Sequence, residues 1–261
     1  MPIMEMMNMQ PKTKTYEVYE YIKNYHGLTN PNNFLFYRWL TNGKELVKSS
    51  PADGYILQGF AYNLLGDAKS AIDSMKQAKL LNNYFGKVNY AGLLTRFGEC
   101  EESTSICFEL LRQDPMDAHV FWLVLDNADF ALNADLAKKA QLLYQGNDID
   151  LQDFLSSLDA KMHILQDAGI DKEVFINVKK RLFNFLSYHY CGDYTTKPVI
   201  AESEIGKRLD LNVYLNNVDI HQCLELNDMF IDKLIEDDTL HFNDYKNIIV
   251  HFIPAKYNQV A

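Results

Sequence analysis

Between Ala52 and Ala78 apolar side chains recur every three or four positions, interrupted once at Leu65-Gly66-Asp67. That is the pattern of two amphipathic helices joined by a tight turn. Tyr55, Gly59 and Tyr62 share one face of the first helix, and Ala71, Met75 and Ala78 share one face of the second. Small residues at Gly59 and Ala71 let the helices approach closely while larger neighbours fill the flanks. Phe97-Gly98-Glu99 repeats the turn 32 residues later, with Ser103, Cys107 and Leu110 on the following face. Asp114-Pro115 ends that helix, because Pro cannot continue it. A third unit places Phe121 at the first aromatic position and Ala137, Gln141 and Tyr144 on the second-helix face. There Asn133 stands for the turn Gly, and Asn tolerates left-handed backbone.

The segment 52–83 resembles the tetratricopeptide repeat, a helix–turn–helix unit with the pattern W-x2-L-G-x2-Y, then A-x3-F, an Ala and a Pro. Tyr55, Gly59, Tyr62, Ala71, Met75 and Ala78 stand at the Trp, Gly, Tyr, Ala, Phe and second Ala positions, while Gln58 and Asn83 depart from the Leu and the Pro. The likeness loosens through 84–146. Because one unit cannot bury its own apolar face, flanking pairs are expected at Thr15–His26 with Phe34–Ser49, and at Leu151–Ala168 with Lys172–Tyr190. A compact bundle satisfies the same periodicity, but has no reason to keep turns at similar spacing. The resemblance implies a mainly α chain, an α-α helical-repeat superhelix whose first helices line a concave groove for a partner segment. Carried onto this sequence, the groove positions are Ile56, Phe60 and Asn63, then Val88, Thr95 and Arg96, then Trp122, Asp126 and Asp129.

After Tyr190 the period changes. Leu209, Leu211, Val213 and Leu215 alternate as in a half-buried strand. Asp219–Glu236 reads as a helix with Ile220, Leu224, Ile231 and Ile235 near one stripe, and Ile248–Ile253, closed by Pro254, reads as a strand buried on both sides. A further strand is expected around Pro198–Ala201. The organisation is thus a flexible tail over 1–14, a helical-repeat domain over 15–190 and a small α+β module over 191–261, packed on the last helices because no Gly/Ser/Pro-rich linker separates them.

Composition narrows what such a chain does. With 48% apolar residues, 7 Pro and 12 Gly among 261, it can build a sizeable core. The formal charge of −10 opposes general nucleic-acid binding and points to a protein or peptide partner with apolar anchors and basic neighbours. Four cysteines without a CxxC read as reduced thiols in a cytoplasmic protein. No run of about 18 apolar residues suits membrane insertion. The Met-rich start lacks a basic n-region and a cleavage motif, so it reads as a frayed tail or a docking segment rather than a signal peptide.

Candidate chemistry is thin. His189-Tyr-Cys191 and His221-Gln-Cys223 invite a zinc site, but residues two apart on a helix point about 200° from one another, and paired-ligand spacings are missing. Neither metal nor cofactor is expected. Cys107 falls on a packing stripe and reads as a core thiol. Lys179-Lys180-Arg181 reads as a solvated basic face, and Glu236-Asp237-Asp238 as a solvated turn. The leading expectation is a non-enzymatic adaptor or chaperone-like scaffold. The alternatives are a bacterial immunity or antitoxin-like neutraliser of a basic protein, and an enzyme with a pocket between the last helices and the C-terminal module, using His221, His241 or His251.

Overall fold

The computed structural model describes residues 14–146, 150–203, 206–237, 239 and 245–256. Eleven helices and five strands lie among them. Helix α1 (Lys14–Asn24) and strand β1 (Gly27–Leu28) precede α2 (Phe34–Leu46), α3 (Pro51–Leu65), α4 (Ala68–Leu80), α5 (Tyr84–Arg96), α6 (Cys100–Gln113), α7 (Ala118–Phe130) and α8 (Ala134–Gln141). Next come α9 (Leu151–Asp167), α10 (Lys172–His189), β2 (Tyr190–Cys191), β3 (Tyr194–Ser203), β4 (Gly206–Leu215), α11 (Ile220–Ile235) and β5 (Ile248–Pro254). Among the described residues no helix is long and apolar enough to cross a membrane. The Met-rich tail lies outside the described residues, apart from the start of α1.

From α2 to α8 each helix packs on the next in sequence, and the alternate helices α3, α5 and α7 also touch. Short polar residues start most of these helices: Asp67, Asn83, Asp117 and Asn133 each accept a backbone N–H from the first turn they cap. The expected small-residue contact is present at Gly59, where a Cβ would lie 2.7 Å from Met75 Cγ. Ala71, Met75, Ala78, Ser103, Cys107, Leu110, Phe121 and Ala137 are all buried. The third turn differs in detail from the sequence reading. Gly66 and Gly98 have φ of 80° and 74°, but the equivalent left-handed residue is Leu132, at 46°, while Asn133 is extended. The Asn133 side chain is needed as the cap of α8, so the unusual backbone falls one residue earlier, on a Leu held by burial.

Three apolar clusters organise the interior. The largest runs through α3 to α8; the second joins Leu132, α9 and α10 to the sheet and α11; a small third one sets Phe36 and Leu40 against Leu64, Leu65 and Cys191. Tyr190 therefore falls inside the core that α10 shares with the sheet, and Cys191 in the small cluster beside it. In that sheet β3 and β4 form an antiparallel hairpin from Tyr194↔Leu215 to Ser203↔Gly206, and α11 crosses over to β5, parallel to β4. Pro198 sits on the edge strand β3, where a missing N–H is tolerated. Strand β5 alternates buried and half-buried residues, so only one of its faces is covered, in contrast to the expected two.

Two further differences concern charge and orientation. Helix α10 runs along the turns that join the helix pairs. Lys172 Nζ donates to the Leu132 carbonyl at 3.1 Å, Lys180 pairs with Glu99 at 3.2 Å, and Thr29 Oγ1 donates to the Tyr188 carbonyl at 2.8 Å. Strand β2 then pairs with β1. The basic run is not a solvated face: Lys179 is buried against Asp129, and Arg181 Nε donates to Asp237 at 2.6 Å, which also draws Asp237 out of its expected solvated role. On α11 the packed side chains are Cys223, Leu226, Phe230 and Leu234, whereas Ile220, Leu224, Ile231 and Ile235 face solvent.

Candidate functional site

A cavity of about 520 Å³ opens where the C-terminal ends of α5 and α7 meet α9, α10 and the start of β3. Asp126 and Asp129, three apart, share a face of α7, and Phe154, Ser157 and Lys161 share one of α9. Arg96 enters from the last turn of α5, Phe183 from α10, and Gly192 to Thr196 form the remaining wall.

Asp129 is the electrostatic hub. It accepts from Lys161 Nζ and lies 3.7 Å from Lys179 Nζ, which also donates to the Asp129 carbonyl at 3.2 Å. The Lys179 ammonium sits over the rings of Phe130 and Phe175 at 5.2 and 5.6 Å. Burial brings its pKa down to about 8, against the pull of Asp129. Arg96 Nη2 donates to the Tyr190 carbonyl at 3.2 Å and has no carboxylate partner among the described residues. Asp126 has no hydrogen-bonded or ion-paired partner among them either, nor does the side chain of Asp193. Water reaches Asp126 from one side, but the surrounding protein, followed by the charges of Asp129 and Asp193, pushes its carboxyl up to about 6. Tyr194 is raised as well, chiefly by burial.

Of the nine groove positions, Thr95, Arg96, Asp126 and Asp129 come together at this cavity, and Trp122, 48% exposed, lies one helical turn from Asp126. Ile56, Asn63, Val88 and Thr95 are buried, correcting the expectation of an exposed surface there. Ile56 and Val88 belong to the apolar core between the helices, and the chain covers the rest of its early groove. Tyr19 of α1 packs on Phe60 with ring centroids 6.3 Å apart, Cys191 Sγ donates to the Asn63 carbonyl at 3.2 Å, and Arg96 holds Tyr190. Thr95 is occupied by a buried hydroxyl network with Ser103 at 2.8 Å, to which Asn127 Nδ2 donates at 2.9 Å.

Sequence reasoning missed Lys161, Lys179, Asp193 and Tyr194. A signal for Lys179 was present: Phe175, Leu182 and Leu186 stand four before, three after and seven after it, so the ammonium rises from the apolar stripe of α10.

The other candidates separate in space. Cys223 is buried and His221 exposed, so that pair points apart, and no three potential ligands group together among the described residues. Burial pushes the Cys107 thiol up to about 12, away from nucleophilic character. Between α10 and α11 a second cavity is lined by His189, Met229, Asp232 and Lys233, and burial lowers the His189 affinity for a proton. His251 is instead 3.7 Å from Asp210 on the sheet, and His241 lies outside the described residues. No protein-family model, no curated protein and no solved structure matches this chain.

Proposed function

We propose that the protein is a non-enzymatic cytoplasmic adaptor, in which the α3 to α8 pairs form a tetratricopeptide-like superhelix and a partner polypeptide is held at the cavity below α7. The observation that carries this reading is that exposed Trp122 lies one turn from Asp126, which opens into a cavity with two unpaired carboxylates and aromatic walls. Trp is a residue type that often becomes a binding hot spot, and a basic partner side chain beside Asp126 and Asp193 supplies the missing counter-charge. The buried early groove leaves this end as the place where a partner gains access. Affinity capture from the native source tests the idea, comparing the wild type with Trp122→Ala and Asp126→Lys. A protein retained by the wild type and lost by both variants is the expected outcome; identical capture by all three sinks the proposal.

A further inference from the structure

Helix α11 has an apolar arc wider than the sheet beneath it can cover. At about 100° per residue, Ile220, Leu224, Ile231 and Ile235 fall within a stripe about 60° wide, beside the arc of Cys223, Leu226, Phe230 and Leu234 that packs on the sheet. The four side chains are between 47% and 69% exposed. An uncovered row of large aliphatic residues along one helix face marks an interaction site more often than scattered single exposures do.

Charge selects the occupant. The free border of the stripe carries Asp228 and, past His221, Asp232, while Glu225 and Glu236 stand further round toward α10, and none of these carboxylates has an ion-pair partner among the described residues. Lys233 lies toward the opposite side of the helix. Two copies of α11 laid antiparallel and face to face would bring the acidic borders together, and an anionic membrane surface would be repelled in the same way. A basic amphipathic helix satisfies both features, placing apolar residues on the stripe and Lys or Arg along the carboxylates. We propose that the exposed stripe of α11 is a docking face for an amphipathic helix with basic flanks. This face is separate from the cavity at Asp126, so the two proposals stand or fall independently.

The test uses the full chain and three labelled peptides of about fifteen residues: Leu and Lys at helical spacing, the same Leu positions with Glu for Lys, and a scramble of the Leu/Lys composition without period. Fluorescence anisotropy should show the periodic Leu/Lys peptide binding at least tenfold more tightly than the other two. The double variant Leu224→Glu, Ile231→Glu should lower that affinity at least tenfold, and Asp228→Asn with Asp232→Asn several-fold. Leu142→Glu, at a distant exposed Leu, should leave it unchanged. Because every substituted side chain is exposed, an unchanged melting temperature will confirm that the variants fold. Equal affinity for the periodic and scrambled peptides, or for the wild type and the double variant, overturns the proposal. So does self-association of the wild type that the double variant abolishes, since a second copy then covers the stripe.

Discussion

The helix pairs of α3 to α8 and the long helix α10 both bury an apolar face, but α10 adds directional polar contacts to distant parts of the chain. In the pairs, neighbours in sequence are neighbours in space, and cohesion comes from apolar faces such as Ala71, Met75 and Ala78 closing over Gly59. Helix α10 touches partners 40 to 159 residues away, and several of those contacts are charged or polar: Lys172 on a carbonyl, Lys179 on Asp129, Tyr188 on Thr29. Apolar periodicity can build a stack, but it leaves open what lies across the stack's edge. Directional polar contacts at turns decide that here.

The comparison can be broken first at its apolar side. Phe121 is fully buried and stacks on Tyr144 at 4.3 Å. Phe121→Ala should cost about 3–5 kcal/mol, read as a lower urea midpoint. A cost below about 1 kcal/mol would mean that the α7/α8 pair contributes little to the cooperative core. Next in size comes the polar side. Asp129→Asn leaves Lys161 and Lys179 facing each other without their shared counter-charge and should cost about 3 kcal/mol, whereas Lys179→Met, which keeps the volume and the Lys161 pair, should cost under about 1 kcal/mol. Equal losses would show that the ammonium is itself stabilising.

Smaller effects sharpen the picture. Asp126 binds its proton more tightly in the folded chain, to about 6 against an ordinary 3.8, so its contribution is fully present below the lower value and lost as pH rises through the higher one. Asp126→Asn should therefore melt above the wild type at pH 7.5, and the gap should close on approaching pH 4; a gap independent of pH contradicts the assigned environment. The opposite sign holds for Asp237, which Arg181 and Thr239 hold down to about 2: its stabilisation is present at neutral pH and fades only below the ordinary carboxylate range. Least of all, Lys180→Ala removes a half-exposed pair with Glu99 and should change stability by less than about 1 kcal/mol.

Local chemistry made much of the fold legible. The turns at Gly66 and Gly98, the helix opening at Asp219, and a strand around Pro198 are all short-range signals that the structure uses as read. Failures came where a residue answers to something distant. Asn133 could have been the left-handed residue or the cap, and only the start of α8 decides between them. On α11 the apolar arc spans two faces, so periodicity could not say which one meets the sheet. The candidate groove was half readable for a similar reason: four positions do converge on a cavity, but the covering of Phe60 and Asn63 by α1 and Cys191 depends on chain far away in sequence.

The small ladder of β1 with β2, reinforced by Thr29, His26 and Asn217, joins positions 159 to 191 residues apart. During synthesis at about 5–20 residues per second, the helix pairs can dock as they emerge, while Gly27 and Leu28 wait several seconds or more for Tyr190 and Cys191. The nascent chain therefore stays open along its turn edge until Tyr190 and Cys191 have emerged, and only then can it close.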